Sequence, residues 1–275
     1  TITDPLMGSY RGFDIATNQM PGGGLMIIEM LNILENFDLR SMGHNSAEYI
    51  SCVAEAMKCA TIDKDAKMGD RKFLNVPIEE LSSKKYASTL ANKISAGEKF
   101  DVPRVNSGAD ESKETTHLVV ADAKGNIVNL THSLGSSSGV VTEGLGFMYN
   151  NCMMVFDPRP GNTGSLAPGK SRFTAMCPTI ISHNDRPKLA LGAPGGTTIT
   201  MGVLQTILNV VDFDMSAQHA VTAPRFCATS NLLELTNRIF RSVEAELISK
   251  DYNTIRYPAS YVTPLAVSYT HLRAH

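Results

Sequence analysis

Apolar positions in this chain recur first at helical spacing and later at strand spacing. Pro21-Gly-Gly-Gly24 breaks the chain, and Ile27, Met30, Leu31 and Leu34 follow at i, i+3, i+4 and i+7, one face of a helix. A second helix is expected to begin near Asn45, where Asn45 and Glu48 have the form of a capping box. Ile50, Val53, Ala54 and Met57 then repeat the same spacing. Pro77 opens a short helix, and Lys84 to Ile94 reads as another amphipathic one. The first 98 residues are therefore expected to be mostly helical.

Val105 to Glu114 is polar and, after Val105, carries no large apolar anchor, so it reads as a mobile surface segment. Beyond it the period becomes strand-like. Thr116 to Asp122 and Ile127 to Ser133 flank the turn Ala123-Lys-Gly-Asn126, and Pro178 to His183 and Lys188 to Ala193 flank Asn184 to Pro187. Pro194-Gly195-Gly196 opens a long helix with Met201, Leu204, Ile207 and Leu208 on one face. Ser216 has the character of an N-cap for a further helix ending before Pro224. Helices, then strands, then helices predict a layered α+β domain rather than alternating βαβ units.

Composition narrows the function classes. The 275 residues, 43% of them hydrophobic, suffice for one large domain or two small ones. A net charge of −2 leaves no basic stripe for nucleic acid. No run approaches the apolar length that a membrane span needs. Cys52, Cys59, Cys152, Cys177 and Cys227 are odd in number, widely spaced and free of any CxxC, which argues against a disulfide framework or structural zinc. Each is expected to be a small buried hydrophobe. His44, His117, His132, His183 and His219 are too scattered for metal ligation, and nothing implies a metal or organic cofactor. The chain starts at Thr1, and residues 264–275 read as a non-native tail whose His271 and His275 are not site candidates. The sequence is thus expected to be a fragment. Compartment stays open: the unpaired cysteines lean toward the cytoplasm, and a periplasmic or secreted location is compatible.

Three patches can carry chemistry. At Glu114-Thr115-Thr116-His117 a polar segment feeds a strand. Threonine becomes an effective nucleophile when it is N-terminal, because its own α-amine then accepts the proton. That amine titrates near pH 7.7–8.0, close to where it must work. The same tetrapeptide also reads simply as β-branched strand material. In Gly192-Ala-Pro-Gly195-Gly196, backbone N–H groups ahead of a helix can face an anion or a developing oxyanion. A plain turn is the alternative; a dinucleotide loop is not, because the spacing is wrong and Asp212 lies at a helix end. Asn150-Asn151-Cys152, at a strand end, reads alone as a turn.

Together and in this order, these patches resemble the γ-glutamyltranspeptidase family of N-terminal-nucleophile hydrolases. Tyr10 to Phe13, Met30 to Asp38, Gly43 to Tyr49 and Glu55 to Lys58 are similar to the end of the family's large subunit. Thr115 to His117, Gly125-Asn126, Asn150-Asn151, Pro178 to Ile180, Pro194 to Gly196, Leu208-Asn209 and Ala223 to Phe226 are similar to its small subunit. The resemblance spans most of residues 8–240.

The resemblance implies a four-layer αββα sandwich. Residues 1–114 would be the end of the large subunit, with a linker near 99–114, and 115–263 the small subunit. Self-cleavage between Glu114 and Thr115 would make Thr115 the nucleophile. Ser133 would support it, and Gly195 and Gly196 would form the oxyanion hole. An acyl-enzyme would pass its acyl group to water or an amine, with glutathione-type γ-glutamyl compounds as family substrates. The partners implied are a small amide substrate and the two subunits of one precursor.

The substrate pocket, by the same resemblance, involves Gly135, Asn151, Cys152, Val155, Thr174 and Ala175. Several of these depart from the family. Gly135 stands for an Asn, Cys152 and Val155 for the Gln and acidic residue that hold the substrate α-amine, and Thr174-Ala175 for a Ser-Ser pair. The amide-breaking residues are kept while γ-glutamyl recognition is eroded. An alternative substrate is therefore another small amide, as in oxamate-type amidohydrolases and acylases. A non-catalytic relative that binds a ligand is the reading from a different class.

Overall fold

The computed structural model describes residues 2–103 and 114–258, together with the backbone of 267–270. Most of the segment expected to be mobile, 104–113, lies outside the described residues. The chain does not begin with a helix. Leu6–Tyr10 (β1) and Phe13–Thr17 (β2) form an antiparallel hairpin. Its turn puts Arg11 at φ 51° and Gly12 at φ 80°, the doubly left-handed path of a tight hairpin. The helical expectation for this stretch is corrected. Alternation is present from Leu6 on, but an arginine at positive φ hides the turn.

The helices follow as Gly24–Leu34 (α1), Leu39–Met42 (α2), Ala47–Lys67 (α3), Ile78–Leu81 (α4) and Lys84–Ser95 (α5). The α3 cap is Ser46, whose Oγ accepts from the Tyr49 N–H, and not Asn45. Asn45 is left-handed at φ 56° and donates instead to the Pro224 carbonyl, which explains the one-residue error. The second half contains Thr115–Ala121 (β3), Ile127–Ser133 (β4), Ser137–Val141 (β5), Met148–Asn150 (β6), Thr179–His183 (β7) and Arg186–Gly192 (β8). Then come Ile199–Val211 (α6), Ala217–Thr222 (α7), Phe226–Cys227 (β9), Leu232–Leu235 (β10), Arg241–Ser249 (α8), Asn253–Arg256 (β11) and Val267–Thr270 (β12). Ser216 caps α7 by accepting from the His219 N–H.

The main sheet runs β1-β2-β7-β8-β12, antiparallel throughout. Sequence-distant strands join where Thr17 opposes Thr179, and these two buried hydroxyls hydrogen-bond at 3.2 Å. α1 is buried on every side rather than on one face, and it packs against α3, α5, α6 and β1. α6 is buried from Ile199 to Asn209. A polar clamp closes this core: the Tyr10 hydroxyl donates to Asp212 Oδ2 at 2.8 Å and Arg11 Nε to Oδ1 at 3.1 Å. The first hairpin is thereby tied to the end of α6.

Glu29 is the costly residue of this core. It lies fully buried in α1 with neither carboxylate oxygen hydrogen-bonded among the described residues. Burial, reinforced by the charge of Asp63, holds its carboxyl well above the usual range. Asp63 is satisfied by the Tyr86 hydroxyl at 2.7 Å and Lys67 Nζ at 2.7 Å. A carboxyl raised on folding contributes its full share below the unfolded pKa, and that share is lost as pH rises toward the folded one. Glu29→Gln is therefore expected to melt higher than wild type at pH 8, by about 1 kcal/mol, with the gap shrinking toward pH 4. Thermal melts across that range check this. A gap that does not shrink toward pH 4 would mean that the Glu29 carboxyl is not raised on folding.

Candidate active site

Two strand ends converge on one cavity of about 1140 Å³. One is the open end of the β3–β4 hairpin, where Thr115 opposes Ser133. The Asp122 carboxylate fixes the far turn by accepting from the Lys124 and Asn126 N–H groups, and that sets the register down to the Thr115 end. The other is the end of β8, which runs through Pro194 into Gly195-Gly196 and a short 3₁₀ turn before α6.

The hairpin lies across β7 and β8. Asn129 in β4 donates to the Thr179 and Leu191 carbonyls at 2.9 and 3.2 Å. His117 in β3 covers Gly192, where an added Cβ would meet the ring at 2.3 Å. His117 Nδ1 pairs with Thr131 Oγ1 at 2.8 Å, and burial lowers the pKa of the imidazole. The buried His117 ring packs between the hairpin and β8.

At the hairpin end, Thr115 Oγ1 and Ser133 Oγ lie 2.8 Å apart. Ser133 Oγ accepts from the Gly135 N–H at 2.9 Å and reaches the Glu114 carbonyl at 3.4 Å. The Leu134 N–H donates to the same Glu114 carbonyl at 3.2 Å. The carbonyl preceding Thr115 thus faces two donors, and the Thr115 hydroxyl has one hydroxyl partner. The geometry can polarise that carbonyl and orient a nucleophilic oxygen beside it.

Thr115, Ser133, Gly135, Val155, Thr174, Ala175 and Gly196 line the cavity, whereas Glu114, Asn151, Cys152 and Gly195 are not among its lining residues. Gly195 and Gly196 adopt φ 137° and 59°. Among the described residues neither N–H is given to a backbone carbonyl, while the Gly195 carbonyl takes both the Thr198 N–H and hydroxyl. Val155 is half exposed and apolar, and the Asn151 N–H donates to the Leu134 and Ser136 carbonyls. Thr174 is committed in part: its N–H donates to the Pro21 carbonyl, and its hydroxyl accepts from the Met176 N–H at 3.3 Å.

Cys152 departs from the expectation of buried cysteines; the other four are buried, whereas it is only half-buried. Its Sγ accepts from Arg172 Nη2 at 3.2 Å. Arg172 was missed in the sequence. It lies in an irregular segment, and the available signal was its place immediately before Phe173-Thr174. Among the described residues no group of His, Cys, Asp and Glu is arranged to hold a metal.

If the Gly195–Gly196 backbone receives a developing oxyanion, its path must be kept. Losing one such donor costs on the order of 10²–10³ in rate. A β-branched side chain at the left-handed Gly196 would be strained. Gly196→Val is expected to lose turnover while keeping a cooperative melt, and a folded, fully active variant would reduce the loop to a turn.

A family model described as gamma-glutamyltranspeptidase matches residues 1–271. The chain is 39% identical over 260 residues to the Acylase ACY 1 proenzyme of Pseudomonas sp. (strain V22), covering 94% of this chain and 46% of that protein. It is 34% identical over 238 residues to the glutathione hydrolase proenzyme of Escherichia coli (strain K12), covering 81% of this chain and 41% of that one. The crystal structure of cephalosporin acylase from Bacillus halodurans superposes with a TM-score of 0.79 at 25% identity, over 93% of this chain and 46% of that one. The chain therefore spans about half the length of the relatives it matches.

Proposed function

The chain belongs to the gamma-glutamyltranspeptidase family, and from that premise we propose that it is the catalytic part of a self-processing threonine amide hydrolase or acyltransferase. The relatives are named as proenzymes, and that supports a precursor cut into two subunits. The observation that carries the reading is the Thr115–Ser133 hydroxyl pair beside the Glu114 carbonyl. Thr115 Oγ1 attacks the Glu114 carbonyl carbon, and the developing charge falls on the oxygen that faces the Leu134 N–H and Ser133 hydroxyl. The C–N bond breaks, the Thr115 nitrogen takes the proton, and water hydrolyses the resulting ester. Thr115 then holds a free α-amine beside its hydroxyl.

In turnover that amine accepts the hydroxyl proton while Oγ1 attacks a substrate amide. The Gly195 and Gly196 N–H groups are proposed to hold the tetrahedral oxygen. The acyl-enzyme is released to water or to an amine. We assign the finer fold as the αββα sandwich, with the β3–β4 hairpin and the main sheet as its two inner layers. Strand alternation supports this: Gly192 faces the hairpin, whereas Leu191 is buried with the helical core. The outward hairpin face carries exposed Leu118, Val120, Val128 and Leu130, an apolar surface that a further helical layer would cover.

The substrate reading moves away from γ-glutamyl groups. Such a group brings an α-ammonium that needs an acidic partner, and a buried unpaired ammonium is expensive. Val155 offers no acceptor and Cys152 a weak one, already facing a guanidinium. An added Cβ at Gly135 would also come 3.0 Å from Cys152 Sγ, so an Asn there would crowd the thiol.

Two outcomes test this. The protein should separate into two chains, the smaller beginning at Thr115, and Thr115→Ala should remain single. N-terminal sequencing that finds Thr116, or no cut, sinks the assignment. For substrate choice, Val155→Asp with Cys152→Gln should raise kcat/KM for a γ-glutamyl anilide by roughly tenfold, the scale of one charge-assisted hydrogen bond. A wild-type protein that already prefers the amino-bearing substrate would show that other residues hold the ammonium.

A further inference from the structure

We infer that the start of the linker, Lys99 to Pro103, is a strap held across the proposed cut, and that Asn231 is the positioning residue that latches it, so that Val102 and Pro103 stay in the cavity wall after Glu114 and Thr115 part. The inference rests on the proposed cleavage and amide chemistry at Thr115 and deepens it. Asn231 Oδ1 accepts from the Val102 N–H at 2.8 Å, and its Nδ2 donates to Asp101 Oδ1 at 2.5 Å. One side-chain amide thus holds a backbone donor and a side-chain acceptor of the same dipeptide. Lys99 Nζ donates to the Lys250 carbonyl, lies 3.9 Å from Asp251 Oδ2 and stands 4.9 Å over the Tyr252 ring. Asn231, Lys250, Asp251 and Tyr252 all belong to the piece that would begin at Thr115, whereas the strap belongs to the other piece. The strap's own side supplies one anchor: the Phe100 N–H donates to Glu55 Oε2 at 2.8 Å, while Glu55 Oε1 accepts from the buried Lys58 Nζ at 2.9 Å.

Val102 is 1% exposed although it stands outside the hydrophobic core, and with Pro103 it lines the cavity that Thr115, Ser133 and Gly196 also line. Before cleavage the covalent chain from Pro103 to Thr115 limits how far the strap can move away. After cleavage that link is gone, and the place of this wall depends on the contacts of residues 99–102 alone. The Glu55 anchor acts two residues short of Val102, and the Asn231 amide acts at Val102 itself. Asn231 is fixed in its turn. The Leu232 N–H donates to Ser230 Oγ at 3.1 Å, and β10, which begins at Leu232, pairs with both β9 and β11. Contact with such a wall is the same for bound substrate and for the transition state, so its loss raises KM and leaves kcat in place. Asn231 is exposed, so its two bonds carry the modest net value of hydrogen bonds that compete with water.

Amide hydrogen exchange on the processed protein reads the latch without turnover. Asn231→Ala should speed exchange at Val102 by about 3- to 10-fold, the net scale of a hydrogen bond, while Phe100, whose acceptor is Glu55, keeps its protection. Exchange at Val102 that ignores Asn231→Ala overturns the latch. KM for a γ-glutamyl anilide should rise by a similar factor with kcat unchanged, and a fall in kcat at constant KM overturns the positioning role. Asn231→Asp sets a carboxylate against Asp101 and should loosen the strap further. Asp101→Asn combined with Asn231→Asp restores a donor facing an acceptor, and should bring exchange and KM back to within about twofold of wild type, a coupling that two independent sites would not show. A double variant no better than Asn231→Asp alone overturns the inference, because damage of a general kind is not repaired by a second substitution. A protein that stays a single chain, or that cleaves no anilide, removes the reading at Thr115. N-terminal sequencing and the assay report that separately, and exchange at Val102 still upholds or overturns the latch.

Discussion

Gly192 has no room for a side chain, and the geometry of the cavity follows from that. A Cβ there would sit 2.3 Å from the His117 ring, so the β3–β4 hairpin can approach β8 only because this position is glycine. Asn129 then locks the approach by donating to carbonyls on both β7 and β8. β3 begins at Thr115, and the glycine pair begins three residues beyond the end of β8. The spacing between Thr115 and the Gly195–Gly196 loop is therefore set by how closely the hairpin and β8 pack. A side chain at 192 would push the hairpin outward and separate them without touching either.

This division of labour runs through the molecule. The helical core of α1, α3, α5 and α6 is built from apolar volume, and it fixes the five-stranded sheet. Polar clamps such as Tyr10–Asp212–Arg11 tie its distant pieces. The side that lines the cavity is built from hydrogen bonds on short irregular segments between strands, where the backbone can take left-handed turns. Gly135, Gly195 and Gly196 all sit at positive φ there. Such segments accept changes in side chain without disturbing the core.

The same contrast explains what the sequence made legible. The β3–β4 pairing could be read because Asp122 to Asn126 forms a turn whose residues declare it, and counting back from that turn opposes Thr115 to Ser133. The long helices could be read because their apolar period is sustained. The β1–β2 hairpin was lost because its turn uses Arg11 in a conformation that arginine rarely adopts. The β5–β6 pairing has an irregular register, β9 is only two residues long, and β10–β11 pair across α8, so local pattern carries little of them. Arg172 was missed for a different reason, its place before Phe173-Thr174 being the one local signal. Its contact is with Cys152, twenty residues away at the start of a short 3₁₀ turn, and no spacing rule connects them.

On the proposed reading one set of atoms must serve two reactions, and that constrains Thr115 and Ser133 together. Before cleavage the Thr115 nitrogen is an amide and cannot accept a proton, so the pair has no strong base and the first reaction relies on placement and on the donors at the Glu114 oxygen. The reacting carbonyl is held there covalently, which supplies the proximity that a weak nucleophile needs. After cleavage the carbonyl departs, but the same nitrogen becomes an amine that titrates near neutral pH. The loss of an attached substrate is offset by the gain of a base. Ser133 is useful in both states because a hydroxyl donates as readily as it accepts: it can donate to the Glu114 carbonyl in the first and hold the Thr115 hydroxyl in line in the second. A residue fixed as donor or as acceptor could serve only one of the two, and that accounts physically for a hydroxyl at this cross-strand position.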